Sequence, residues 1–185
     1  MEPTADAPTI VRSTLQLEQA TALDPLARAV EPLVRPWAAG AQLGPLLRGD
    51  WLGHAVHPVL TDVAVGAWVS AGVLDLVGGA DAAPAAQRLI GIGVLTAAPT
   101  AWTGWAEWLT LTPRDRRVGV VHALVNATAI AAYAGSWSAR RRGRRAKGVA
   151  LGLTGAAIAG VGAYLGGHLT EGRRVASHHP AYDET

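Results

Sequence analysis

The chain has 185 residues, half of them hydrophobic, with 22 Gly, no Phe and no Cys. That length suits one domain, and the missing cysteines exclude disulfides, thiolate metal sites, Cys-ligated iron–sulfur clusters and Cys-linked haem. The net charge of +2 arises mostly from one Arg run between apolar stretches, which argues against a nucleic-acid partner.

Met1 to about Thr9 reads as a loose polar tail and Val11 to Ala22 as a short helix; the first twenty residues carry Glu2, Asp6 and Glu18 and no apolar signal core. Asp24-Pro25 supplies an N-cap and a first-turn proline for a second helix. Leu26, Val30, Leu33, Val34 and Trp37 share one face of it, as expected for an amphipathic helix lying in a membrane interface or packing on the protein. Pro32 and Pro36 predict a kink or an end, and Gly40 to Gly49 a linker. Residues 1–50 thus form an N-terminal tail and interfacial helix, 51–170 a membrane bundle and 171–185 a polar tail.

Three runs lack Asp, Glu, Lys and Arg: Leu89 to Ala106 with 18 residues, Val118 to Ala139 with 22 and Gly148 to Thr170 with 23. At about 1.5 Å per helical residue, these lengths match a hydrocarbon core of about 30 Å. A fourth run, from about Ala55 to Gly78, is interrupted by Asp62 and Asp75. A soluble Ala-rich bundle would show polar residues every turn, and these runs do not; the glycines suit closely packed membrane helices. The expected spans are about 55–78, 85–109, 117–139 and 147–169. Pro99 predicts a kink in the second. Short connections make the expected architecture an all-α, antiparallel four-helix transmembrane bundle.

That topology gathers His54, His57, Trp102, Trp105, Glu107, His122 and His168 at one end of the bundle and leaves Arg140 to Lys147 at the other. Asp62 and His122 lie at similar depth, so His122 is the expected partner of a carboxylate that is costly to leave in lipid. Asn126 shares a face with His122, one turn away.

Trp51-Leu52-Gly53-His54-Ala55-Val56-His57-Pro58, Thr61-Asp62, Leu74-Asp75, Thr103-Gly104-Trp105-Ala106-Glu107-Trp108, Val121-His122-Ala123-Leu124-Val125-Asn126 and Tyr164-Leu165-Gly166-Gly167-His168 resemble a bacterial four-helix membrane-protein family, domain of unknown function 2231. Its signature is close to His-Pro-x-His-Pro; Ala55 departs from it where the first Pro often stands. The resemblance implies a multi-pass protein of the bacterial cytoplasmic membrane. Some relatives are joined to Rieske-type domains, which implies a redox or Rieske-type partner.

Two readings of the residues stand. The first, which the histidines favour, is a His-rich haem- or metal-binding membrane redox component: His54, His57, His122 and His168 bind haem b or a transition metal, supported by Asp62, Asn126, Trp102, Trp105 and Glu107, with glycines 160, 162, 166 and 167 admitting a flat macrocycle. In the second, the protein is a non-catalytic structural or partner-binding membrane subunit whose His/Asp cluster is a packing hydrogen-bond network. The glycines then serve helix packing and the tryptophans an interfacial belt. Proton or solute transfer through the cluster is a third possibility. No nucleophile–base pair or phosphate loop argues for an enzyme. The bilayer is the expected partner, with a homo-oligomer admitted.

Overall fold

The computed structural model describes residues 7–179 and Tyr182. Parts of both expected tails, residues 1–6, 180–181 and 183–185, lie outside these. Among the described residues the regular structure is helical, apart from one antiparallel bridge pairing His54 with His178. In order come α1 (Thr9–Gln19), a 3₁₀ turn (Thr21–Leu23), α2 (Asp24–Ala38), α3 (Leu43–Arg48), α4 (Val56–Val77), α5 (Ala83–Trp108), α6 (Pro113–Arg141), α7 (Arg145–Gly167) and a π-helical turn (His168–Gly172). The chain divides into two compact units. One is Met1–Ala55, Gly104–Ala123 and Ala163–Thr185; the other is Val56–Thr103 and Leu124–Gly162.

In the first unit, Val34, Ala38, Leu47 and Ala106 form a buried core flanked by Val30, Trp37, Leu43, Trp105 and Leu109. Helix α2 runs through Pro32 and Pro36 instead of ending there. Its buried face is narrower than expected, because Leu33 and Leu26 are exposed. Asp24 is the first residue of α2 and not its cap, since its carboxylate is taken by Arg117 at 2.6 and 3.0 Å. Part of the expected linker is helical: α3 ends where Gly49 turns left-handed at φ 87°, and the Gly49 and Asp50 amides both donate to the Pro45 carbonyl. Gly53 repeats the positive φ three residues before α4, a bend that L side chains resist.

The second unit is built from aromatic rings laid against glycines. Its core joins Ala64, Trp68 and Ala71 of α4, Ala86, Ile90 and Ala97 of α5, and Tyr133 of α6, with Ala159 of α7 packed on it. Trp68 stacks on Tyr133 with ring centroids 4.1 Å apart. A Cβ on Gly155 would come 3.0 Å from the Tyr133 ring, and one on Gly91 2.8 Å from the Trp137 indole. On α4 and α5, His57 meets Thr100 and Trp68 meets Gly93; on α6 and α7, Asn126 meets Gly162 and Tyr133 meets Gly155. Within each pair, one number rises as the other falls, so the helices run antiparallel there. Gly93 bears the tightest seat, because a Cβ there would enter the Trp68 indole. Alanine gains about 1 kcal/mol of helix propensity over glycine, but the stacked ring has no room to move. Gly93→Ala should therefore lower stability by about 1–2 kcal/mol net. Thermal unfolding in detergent measures it, and an equal or higher midpoint would refute the seat.

Three helices are long and apolar enough to cross a membrane: Val56–Val77, Pro113–Arg141 and Arg145–Gly172. Only 22–28% of their most apolar windows is buried within the protein, which leaves Val63, Val69, Val73, Leu124, Leu153 and Val161 facing outward. Helix α5 stands outside that group; it is long, but its second half carries Thr96, Pro99, Thr100, Trp102 and Thr103. Its threonine hydroxyls donate to Ile92, Thr96 and Thr100 carbonyls at 2.7–2.9 Å, which removes them as exposed polar groups. The helix passes Pro99 without ending.

Candidate functional site

The expected ligands each have a local partner. His54, exposed before α4, has Nδ1 3.2 Å from the Ala55 carbonyl and stands opposite His178 in the bridge. His57, in the first turn of α4, places Nδ1 2.8 Å from the Thr100 carbonyl. His122 packs on Gly166, where a Cβ would come 3.0 Å from its Cε1, and Asn126 fills the space at Gly162. These two glycines therefore seat side chains of α6, whereas Gly160 and Gly167 have nothing within 4 Å of an added Cβ. His168 gives its Nε2 to Glu18 Oε1 at 2.7 Å. Among the described residues, no three His, Asp or Glu side chains are placed to hold a metal ion.

Asp62 departs from expectation. It is exposed and makes no hydrogen bond or ion pair among the described residues, so it does not occupy the interior. Trp102 is 47% exposed, in keeping with an interfacial ring. Trp105 packs in the core of the first unit, edge-on to Trp108 at 5.5 Å. Glu107 Oε2 accepts from the Ser177 amide at 3.1 Å and its hydroxyl at 2.6 Å. With His179 N donating to the Gly53 carbonyl at 2.9 Å, these contacts pin the C-terminal segment. A cavity of about 160 Å³ opens there among Arg48, Asp50, His54, Ser177, His178 and His179.

The most developed polar cluster of the first unit was not expected. Glu18 of α1 is fully buried. Arg114 pairs with one carboxylate oxygen, and His168 at 2.7 Å and Arg173 at 3.5 Å meet the other. Arg173 also reaches Asp115 at 3.2 Å, and Asp115 accepts from the Thr112 hydroxyl at 2.7 Å. Neighbouring Thr14 is buried too and shares a hydrogen bond with the Tyr164 hydroxyl at 3.2 Å, while Ile10 and Val11 face outward. Helix α1 thus docks by its polar face, the reverse of a soluble amphipathic helix.

The same arginine run holds α2. Arg117 clasps Asp24 and donates to the Glu18 carbonyl at 2.8 Å, and Arg116 pairs with Glu31 at 3.0 Å. Hydrogen bonding from Arg117 lowers the Asp24 pKa, and hydrogen bonding from Arg35 does the same for Glu31, with Arg116 adding to it. The readable signal was charge balance: acids 18, 24 and 31 in the N-terminal segment answer Arg114, Arg116 and Arg117 at the start of α6.

The second unit holds one ion pair with both members nearly buried. Arg140 at the end of α6 grips both oxygens of Asp75, with side-chain exposures of 3% and 5%. Ser136 accepts from Arg140 Nε at 3.2 Å and donates to the Gly148 carbonyl at 2.6 Å.

Among known proteins, a family described as predicted membrane protein (DUF2231) matches residues 53–180. No curated protein and no solved structure matches the chain.

Proposed function

Because the chain belongs to the DUF2231 family of predicted membrane proteins, we propose that it is a non-catalytic structural or partner-binding subunit of the bacterial cytoplasmic membrane. It crosses the bilayer four times as an antiparallel bundle, with α5 as the fourth crossing. The outward apolar faces of the other three helices and the internally satisfied threonines of α5 support that reading. Its polar residues set helix register and hold the N-terminal segment, which partners would meet.

One observation carries the choice: the buried Glu18 carboxylate takes up His168, Arg114 and Arg173. The histidine that a ligand site would draw from the fourth helix is spent on a protein contact. Polar contacts of this kind contribute about 1 kcal/mol each between membrane helices, enough to fix a docking register.

The haem or metal reading, with its redox or Rieske-type partner, keeps one specific observation. The Thr100 carbonyl on His57 Nδ1 selects the tautomer that offers Nε2 as a ligand. The visible spectrum of the detergent-purified protein, oxidised and reduced, and its metal content decide between the two. The expected sample is colourless, with metal well below one per chain. A stoichiometric chromophore or metal that disappears in His57→Ala would replace this reading with the ligand one.

A further inference from the structure

The loop between α6 and α7 leaves Arg141, Arg142, Arg144, Arg145 and Lys147 exposed, all within seven residues. Arg140 alone of this run is turned inward, to Asp75. Directly beside the exposed cations lies an open groove of about 610 Å³, lined by Asp75, Arg145, Ala146, Val149, Ala150 and Leu153. Arg145 supplies the cation of its rim, and Ala146, Val149, Ala150 and Leu153 make its floor apolar. Arg145, Val149 and Leu153 repeat every four residues, so they share one face of α7, and Leu153 lies about 12 Å further along the helix than Arg145.

A charged mouth that gives way to an apolar trough along a membrane helix matches an amphiphile. A nucleic acid or a free anion would use the rim and leave the trough empty. The one acid in the lining, Asp75, is neutralised by the two-point grip of Arg140, so it does not repel a phosphate. The first turn of α7 adds unpaired amides and a favourable dipole for negative charge. Arg145 donates to the Gly79 carbonyl at 2.8 Å, which holds its guanidinium near the α4–α5 connection at the groove's mouth.

We propose that this groove binds an anionic phospholipid of the bilayer, with the headgroup phosphate at Arg145 and the first part of an acyl chain along Val149 and Leu153. The proposal rests on the membrane reading above and adds to it a defined lipid position.

The full chain is placed in bilayer nanodiscs of equal phosphatidylglycerol and phosphatidylcholine with matched acyl chains. Lipid kept after delipidation is then counted by native mass spectrometry. Wild type should keep phosphatidylglycerol over phosphatidylcholine. Arg145→Gln should lower that preference about fivefold, the worth of one direct hydrogen bond to the headgroup. Arg142→Gln removes the same charge outside the groove and should change it less than twofold. Inorganic phosphate at millimolar levels should not displace the lipid. Equal retention of the two lipids, equal losses in the two variants, or displacement by phosphate overturns the proposal. Insertion into the nanodisc is scored separately, so failure to insert would count against the membrane reading itself.

Discussion

Replacing Glu18 with alanine should release the N-terminal segment while leaving the membrane helices folded. The carboxylate is fully buried and is shared by Arg114, His168 and Arg173. Its loss removes the hydrogen bond with His168 and two ion pairs; a hydrogen bond to a charged group is worth about 1.5–3 kcal/mol. One effect opposes this: Arg114 and Arg173 have side chains 41% and 34% exposed, so both regain water once freed. The net cost should therefore fall to or just below the bottom of the range of about 3–5 kcal/mol for a broken buried pair, at about 2–3 kcal/mol. Limited proteolysis reads it as new cleavage near the 3₁₀ turn Thr21–Leu23, and Glu18→Gln, which keeps an acceptor for His168, should be cut more slowly. Acid should act in the same direction. Asp24 and Glu31 have lowered pKa values in the folded protein. Their contribution is complete above the ordinary carboxylate range and is lost as the pH falls through their folded values. Unchanged proteolysis in Glu18→Ala would show that the apolar packing and ion pairs of α2 hold the segment without Glu18.

Three of the long helices were legible because charge punctuates them. Arg88 and Glu107, Arg117 and Arg140, and Lys147 and Glu171 bracket three uncharged runs, and the helices overrun those brackets by a turn or less at most ends. Which polar groups meet was not legible. Asp62 and Asp75 both interrupt α4, and thirteen residues place them about 220° apart around a helix, so one must face in when the other faces out. Periodicity sets that opposition without its sign. The structure turns Asp75 inward to Arg140 and leaves Asp62 outside. His168 meets Glu18 across 150 positions, a pairing that no local pattern encodes. His178, read from the sequence as part of a polar tail, instead lies opposite His54.

Asp75→Ala should be the more costly change, because the group it strands is buried. Arg140 is 3% exposed, and its side chain lies against Gly148, where an added Cβ would come 2.5 Å from its Cγ. After the substitution the guanidinium keeps only Ser136, and an uncompensated buried charge costs about 3–5 kcal/mol. The competing escape is snorkelling toward the exposed residues that begin at Arg141. That would release the Gly148 seat and the bond to Ser136, whose hydroxyl also serves the Gly148 carbonyl at 2.6 Å. The two outcomes separate in a double-mutant cycle. If the charge stays buried, Arg140→Met added to Asp75→Ala should recover most of the loss, since apolar groups of similar volume often replace a buried pair at little cost. If Arg140 escapes, Asp75→Ala alone should cost under about 1 kcal/mol, the range of an exposed pair, and the second substitution should add nothing. Thermal unfolding of the three variants in one detergent gives the coupling directly. Recovery in the double variant would assign this pair the role of joining α4 to α6 in a single register.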